Sequence, residues 1–475
     1  MKILLICKDT VGAKMAGPGI RYFEMAKFLS QKYQVTLAAP KPLEKIHGIN
    51  FTILPYKKTQ ETNELRNTIA KFDVIIAQFL KPRLLKIIKK AGAKYVADLY
   101  DPLIIETLEH FKHSTPKIQA VNFDFQRYLT LLQIAYADLI LCASKKQADY
   151  YVGLLSALGK LNETTHKIDS TLSNLLMIVP FGIEGKEQII NCHSELVSES
   201  PVHTLGSRNK PAQYHDTGFG MTNSDTTLIQ KMIPNYSKED KVIIWAGGVW
   251  NWFDPLSAIK AVADVSETDK SVKLLFMGLK HPNPDIPEMS MASRALELAE
   301  KLGVLNKQIF LNHDWVAYKD RHQLLNNSYL GISTHFKDLE TRFSFRTRIL
   351  DYIGHGLPVI ATEGDSMSEL VKERGLGIVV GYEKVDEIEK AIHRLLDRDF
   401  YSICQKNLAE VKKDYLWSNL LKPLSDFIDQ DRFIKNKPAS YFEANRLTYK
   451  FYQTALKRIL AVKGVGGILA KLFGK

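Results

Sequence analysis

Short, unbroken apolar runs recur along the chain, separated by longer stretches in which apolar and polar positions mix with helical spacing. Lys2–Cys7 is the first such run, followed by a loop and a helix-like stretch, Ile20–Gln31, and Tyr33–Ala39 is the next. Val74–Ala77, Tyr95–Asp98, Leu139–Ala143 and Met177–Val179 continue the series. Runs apolar at every position, spaced by helices of ~10–15 residues, predict a parallel sheet covered on both faces. The pattern stops at about Glu187. From there to Thr227 the chain is rich in Ser, His, Asn, Thr, Gly and Pro, which predicts a polar loop. Alternation resumes with Lys241–Gly248, Val272–Gly278, Ile309–Leu311, Tyr329–Ser333, Leu357–Ala361 and Gly377–Val380. Tyr401–Gln430 then has helical character, with Tyr415 and Trp417 as an aromatic anchor. The expected fold class is α/β. Two Rossmann-like units, 1–186 and 236–400, are joined by an insert and linker, 187–235, and followed by helices over 401–437 and a tail, 438–475.

Composition supports more than one core, since 475 residues exceed what a single domain usually holds. Four cysteines (Cys7, Cys142, Cys192, Cys404) lie far apart, so no disulfide framework or zinc site is expected and a reducing compartment is. The apolar run at the N-terminus is too short for a signal peptide, and no stretch has the length of a spanning helix. A cytoplasmic protein is the expectation. His193, His203 and His215 fall in the polar stretch and suit a loop better than a metal site.

Charge changes the picture at one end. The chain carries +12, and half of it lies between Tyr441 and Lys475, where seven cations stand against one acid, Glu443. Apolar residues at helical spacing accompany them (Leu447, Phe451, Leu456, Ile459, Leu460, Val465, Ile468, Leu469, Leu472 and Phe473). Such a segment fits a peripheral element on an anionic membrane surface, and it also fits a terminal helix packed on the body. Gly464, Gly466 and Gly467 leave room for a break. Nucleic acid is not expected as a partner, because no recognition module accompanies the charge.

Two Rossmann-like units raise the question of a dinucleotide. The loop after the first run offers Gly17-Pro18-Gly19-Ile20-Arg21-Tyr22 without a third glycine, and the second run ends Ala38-Ala39-Pro40 without an acid. Both requirements of a dinucleotide site fail.

A different match is carried by IIWAGGVWNWFDP (Ile243–Pro255), LLFMGLKHPNP (Leu274–Pro284) and THFKDLETRFSFRTRILDYIGHGLPVIATEGD (Thr334–Asp365). With Met15–Ser30, Ala97–Pro102, Ala137–Ser144 and Ile178–Ile183, these stretches resemble the GT-B glycosyltransferases of family 4. The resemblance implies two Rossmann-like domains facing across a cleft, with a nucleotide-sugar donor on the second and an acceptor on the first. It implies a final helix crossing back to the first domain, a retaining reaction, and no cofactor or metal. The expected acceptor is a glycan or lipid-linked glycan, and a cationic tail holding the protein at the cytoplasmic membrane face, where such acceptors are assembled, suggests a role in bacterial surface polysaccharide or lipopolysaccharide assembly.

The chemistry selects residues independently. Breaking a sugar–phosphate bond leaves a growing negative charge, which backbone N–H groups at a helix start and fixed cations stabilise. Ser344-Phe345-Arg346-Thr347-Arg348 enters a helix and supplies both, and Lys280 follows a strand end. Arg346 and Arg348 do not share a helix face, so one can point to phosphate and the other to a carboxylate or the core. Gly247 and Gly248 permit close backbone approach to a ligand. Trp250, Trp252 and Phe253 suit the cleft or the core, and Asp254 suits a ligand or the N-cap of the following helix. The resemblance places Asp351 on the nucleotide ribose. The family's first motif carboxylate falls on Phe343, and Glu340, three residues earlier, is the candidate replacement. Gly17, Gly19 and Arg21 form the acceptor-side loop. Asp101 and Asp98 follow a strand end where relatives place a group near the reacting sugar. His335 ends a strand, and His355 suits a helix C-terminus. The expected catalytic set is Glu340, Asp101 and Arg346. A non-catalytic sugar-nucleotide-binding subunit and a sugar-nucleotide epimerase remain as other classes.

Overall fold

The computed structural model describes residues 1–41, 46, 48–185, 227–283, 286, 288–434 and 441–473, with side chains of the last helix described over 443–461. The insert up to residue 226, with Cys192 and its three histidines, lies outside the described residues. So do Pro284 and the side chains of the tail beyond 461.

Seven strands form the first sheet: β1 (Lys2–Ile6), β2 (Gln34–Pro40), β3 (Thr52–Tyr56), β4 (Val74–Ala77), β5 (Lys94–Asp98), β6 (Leu139–Cys142) and β7 (Leu176–Ile178). Their order is β3-β2-β1-β4-β5-β6-β7, all parallel. The second sheet holds β8 (Lys241–Trp245), β9 (Val272–Phe276), β10 (Ile309–Leu311), β11 (Leu330–Ser333), β12 (Val359–Thr362) and β13 (Gly377–Val380). Its order is β10-β9-β8-β11-β12-β13, again parallel. Central strands such as β4 and β12 are buried at every position, as strands covered by helices on both faces must be. Sequence order reverses between β1 and β4 and between β8 and β11, and each reversal opens a crevice at the carboxyl edge.

Those two edges face each other. The backbone N–H of Tyr318 donates to the Ala13 carbonyl (2.7 Å), and Trp315 Nε1 donates to that of Met15 (3.1 Å). Asn283 Nδ2 reaches Asp9 Oδ1 at 2.9 Å. On the opposite flank Gln147 Nε2 donates to the Phe343 carbonyl (2.9 Å), and Lys146 to that of Gly364 (2.9 Å).

The chain returns to the first domain after the second sheet. Ile183 and the Tyr415–Trp417 turn exchange backbone bonds of 2.7 and 3.1 Å. Helix Trp417–Asp429 then packs on helix Gly17–Leu29, where Tyr33 Oη donates to Asp429 Oδ1 at 2.6 Å. Trp417 is buried over Gly182, where an added Cβ would sit 2.6 Å from the indole.

Three expectations are refined. β3 was not legible, because Pro55 interrupts it. As the edge strand it tolerates a residue without an N–H. The expected linker 187–235 is structured at its end, where helix Leu228–Met232 buries Ile229, and Ile233 just after it is buried too. The tail is one helix, Tyr441–Phe473, running through Gly464, Gly466 and Gly467 without a break. Its first half packs on helix Pro116–Tyr136. Among the described residues no helix is long and apolar enough to cross a membrane, and Cys7, Cys142 and Cys404 are buried and free.

Candidate active site

Strand β8 runs into Ala246-Gly247-Gly248, and helix Thr347–Gly354 begins beside this turn. Gly247 has φ +110°, a conformation that L side chains rarely adopt. Tyr352, whose position sequence reasoning did not single out, fixes the crevice. Its hydroxyl accepts from the Ala246 N–H (3.0 Å) and faces the carbonyls of Ile332 (2.8 Å) and Ile244 (3.0 Å), so one side chain joins β8 to β11. Its ring lies where a Cβ on Gly331 would be, 2.2 Å away. That glycine–tyrosine pairing spans 21 residues and leaves no local periodic signal.

The two arginines separate as their spacing requires. Arg346 turns to carboxylates: Nη1 and Nη2 hold Glu340 Oε1 (2.9 Å) and Oε2 (2.6 Å), and Nε lies 3.8 Å from Asp365 Oδ2. Glu340 and Arg346 side chains are 2% and 4% exposed. Burial raises Glu340 and the Arg346 charge opposes the rise. Neither partner is free in this arrangement, which makes the pair a structural bolt under the Phe345 loop.

Arg348 has no such partner. Its Nη2 donates to the Gly248 carbonyl (2.8 Å), its guanidinium lies over the rings of Phe253 (4.1 Å) and Trp245 (4.7 Å), and Nη1 finds no acceptor among the described residues. Burial pushes it down to about 10. Helix Thr347–Gly354 also starts without a side-chain cap and without an acid in its first turn. An under-compensated cation, an uncapped helix start and a glycine turn therefore meet at the carboxyl edge of β8. That combination suits an anion.

Other candidates divide. Asp254 is buried and caps helix Pro255–Thr268 through Ser257 N (3.0 Å). Ser344 is buried and bonds the Thr341 carbonyl (3.0 Å). Trp252 is buried and stacks on Trp250 at 5.2 Å. Trp250, His281 and Trp315 continue as a half-buried aromatic wall against Gly248 and Gly278, and neither His281 nor Trp315 was singled out in advance. Lys280 is exposed at this mouth. Asp351 forms an ion pair with Arg321 at the same crevice. Phe345 lines a cavity of about 440 Å³ between the domains, with Ser144, Lys146, Ser366 and Tyr415. Burial holds both His335 and His355 below the usual histidine range. A carbonyl only accepts, so Nε2 of His335 donates to Glu363 O (3.1 Å) and Nδ1 of His355 to Asp351 O (2.7 Å).

On the acceptor side the expected loop residues serve the fold. Arg21 is fully buried and bidentate on Asp98 (both 2.8 Å), with further bonds to the carbonyls of Val179 and Pro180. This removes Arg21 and Asp98 from contact with a ligand. Gly19 is required because a Cβ there would lie 2.2 Å from the Thr10 carbonyl, and Gly17 opens its helix beside Phe181. Asp101 remains in the cleft, bonded by Gln78 (3.2 Å), and burial followed by the Asp98 charge raises it to about 7. Glu106, which no sequence signal marked, is pushed up by burial and then by Asp101 and Glu340, with Arg346 opposing. The structure thus brings Asp101 and Glu106 of one domain towards Glu340 and Arg346 of the other.

A curated relative, the chitobiosyldiphosphodolichol beta-mannosyltransferase of Yarrowia lipolytica, is 25% identical over 122 residues. The match spans 26% of this chain and about a quarter (24%) of that relative. Among solved structures, Anabaena HepE in complex with UDP-glucose superposes with a TM-score of 0.56 at 14% identity, covering 90% of this chain and 100% of its own. WaaG, a glycosyltransferase involved in lipopolysaccharide biosynthesis, gives 0.56 at 13% identity, covering 90% and 99%. These likenesses establish the shared two-domain GT-B fold. Residues 240–398, which hold the whole second sheet and the arginine helix, match the family model described as glycosyl transferases group 1.

Proposed function

We propose that the protein is a retaining glycosyltransferase that moves a sugar from a nucleoside-diphosphate donor to a glycan or lipid-linked acceptor. The observation that carries this reading is Arg348, buried with Nη1 unpartnered among the described residues, where the Gly247-Gly248 turn meets an uncapped helix start. As the sugar–phosphate bond breaks, the departing diphosphate gains negative charge. Arg348 and the N–H groups of that helix start are fixed before the reaction, so stabilising this charge needs no reorganisation. Lys280 adds a cation at the mouth, Asp351 receives the ribose, and this set needs no metal. The Trp250–Trp315 wall flanks the nucleoside.

Retention follows if the acceptor hydroxyl attacks from the face the diphosphate leaves, its proton passing to the departing phosphate oxygen. That route requires no free carboxylate beneath the sugar, consistent with Glu340 being held by Arg346. Asp101, raised to about 7, and Glu106 lie on the acceptor side and orient the incoming hydroxyl. The likeness to HepE, solved with UDP-glucose, supports a sugar-nucleotide donor, and that to WaaG, a glycosyltransferase involved in lipopolysaccharide biosynthesis, supports a role in lipopolysaccharide or surface polysaccharide assembly.

One observation favours a second reading, a binding subunit without turnover. Phe343, at the position of the family's first acid, packs on Tyr150 of the other domain (5.4 Å). Purified protein incubated with UDP-, GDP- and ADP-sugars, with and without lipid-linked acceptors, separates the cases. The transferase releases nucleoside diphosphate and yields a product of unchanged anomeric configuration. Binding without release, with all partners present, supports the subunit. A new sugar nucleotide without acceptor identifies an epimerase.

A further inference from the structure

The C-terminal helix Tyr441–Phe473 carries two apolar stripes, and the molecule uses one of them. Ala444, Leu447 and Phe451 are buried against helix Pro116–Tyr136, with the Phe451 ring 5.1 Å from that of Phe125. Arg458 extends over Phe125 as well, at 4.7 Å. This face seats the helix. On a different face Tyr449, Tyr452, Leu456 and Leu460 follow one another at i, i+3, i+7 and i+11, and they are 62, 52, 50 and 39% exposed. The row is about 16 Å long at the rise of an α-helix.

A second row borders it. Arg446, Lys450 and Lys457 are exposed and fall within about 40° of one another around the helix axis, next to the Tyr–Leu row. Glu443, 3.2 Å from Arg446, is the one acid in residues 441–475. Lysines 463, 471 and 475 extend the charge without adding an acid.

We propose that this outward face is a docking surface for an anionic lipid bilayer, entered by the Tyr449–Leu460 row with Arg446, Lys450 and Lys457 against the headgroups. Tyrosine and leucine side by side match the boundary between acyl chains and headgroups. The cationic row is complementary to a phosphate-bearing surface, and the same helix of a second copy offers it no row of carboxylates. Because the helix is seated on the first domain, docking brings the acceptor lobe to the membrane. Glycosyl transfer is not a premise, since binding is measured without turnover.

The test uses the full chain in flotation with phosphatidylcholine vesicles, with and without phosphatidylglycerol. The protein floats with the anionic vesicles alone, and added salt lowers the bound fraction. Tyr449→Ser with Tyr452→Ser, Leu456→Ser and Leu460→Ser reduces binding more than about tenfold. Lys450→Glu with Lys457→Glu does the same through charge. Both variants keep the parent Tm, since they touch exposed positions, whereas Leu447→Ser on the seated face lowers it. Equal flotation of parent and variants, or no flotation of the parent, overturns the proposal. So does a dimer in solution that the Tyr–Leu variants dissociate while lipid binding persists.

Discussion

Replacing Arg346 by methionine and, separately, Arg348 by methionine should give opposite profiles, although one residue separates them. Arg346→Met leaves Glu340, 2% exposed, and Asp365, fully buried, without their cation. Breaking a buried ion pair from one side costs about 3–5 kcal/mol, or roughly 6–20 °C in Tm for a domain of this size. Burial already raises both carboxyls, so removing the arginine raises them further. A raised folded-state acid stabilises the protonated fold, so the variant is least stable above neutrality and recovers as pH falls. Arg348→Met behaves differently. Burial to about 10 means that holding this charge costs about 3 kcal/mol. The bond to Gly248 returns about 1.5–3 kcal/mol, and the two ring contacts about 0.5–2 kcal/mol each. These terms leave a net loss between about −0.5 and 4 kcal/mol, centred near 2 and below that of Arg346→Met, yet loss of one charge-assisted bond to the donor weakens binding about 10–100-fold. Thermal unfolding in acid and mildly alkaline buffer measures the first effect. Quenching of Trp250 and Trp315 fluorescence by UDP-sugars measures the second. Equal losses of Tm in both variants, or undiminished donor affinity in Arg348→Met, would refute the division of roles.

Asp101 is raised to about 7, so the fold binds its proton more tightly than the unfolded chain does, and its contribution to stability falls as pH rises from about 4 to about 7. An ionised Asp101 accepts a hydrogen bond from the acceptor hydroxyl, so the transfer rate should rise as pH passes through about 7. Asp101→Asn should remove that rise and flatten that part of the stability–pH curve, and an unchanged rate profile would dismiss Asp101 from the acceptor site. Gly182→Ala should cost about 1–3 kcal/mol by overpacking against Trp417, read as a lower Tm, and Gly182→Ala with Trp417→Leu should recover part of it. No recovery would locate the strain elsewhere.

The buried strands were legible because a strand covered on both faces is apolar at every position, as β4 and β12 are. Edge strand β3 was not, since Pro55 and half-exposed neighbours blur its pattern. The glycine turn and the arginine pair were readable as a phosphate-binding stretch. Which arginine served was not, because the answer depends on Asp365 approaching from another loop and on Glu340 folding back over six residues. Arg21 looked available in a loop, and only the distant Asp98, 77 residues on, shows it to be a core cation. Glu106 sits in an ordinary amphipathic helix, and its environment arises from carboxylates of two domains. In the tail, one list of apolar residues concealed two faces, which the partner helix Pro116–Tyr136 separates.

The seating of Leu447 and Phe451 on Phe125 bears on how the tail is probed. A truncation before residue 441 would not trim a loose appendage but strip the lid from the longest helix of the first lobe, leaving a greasy scar beside Phe125. Any loss of solubility or activity after such a cut reports that wound first. Point changes on the outer rows, which leave the seat intact, are the sharper instrument.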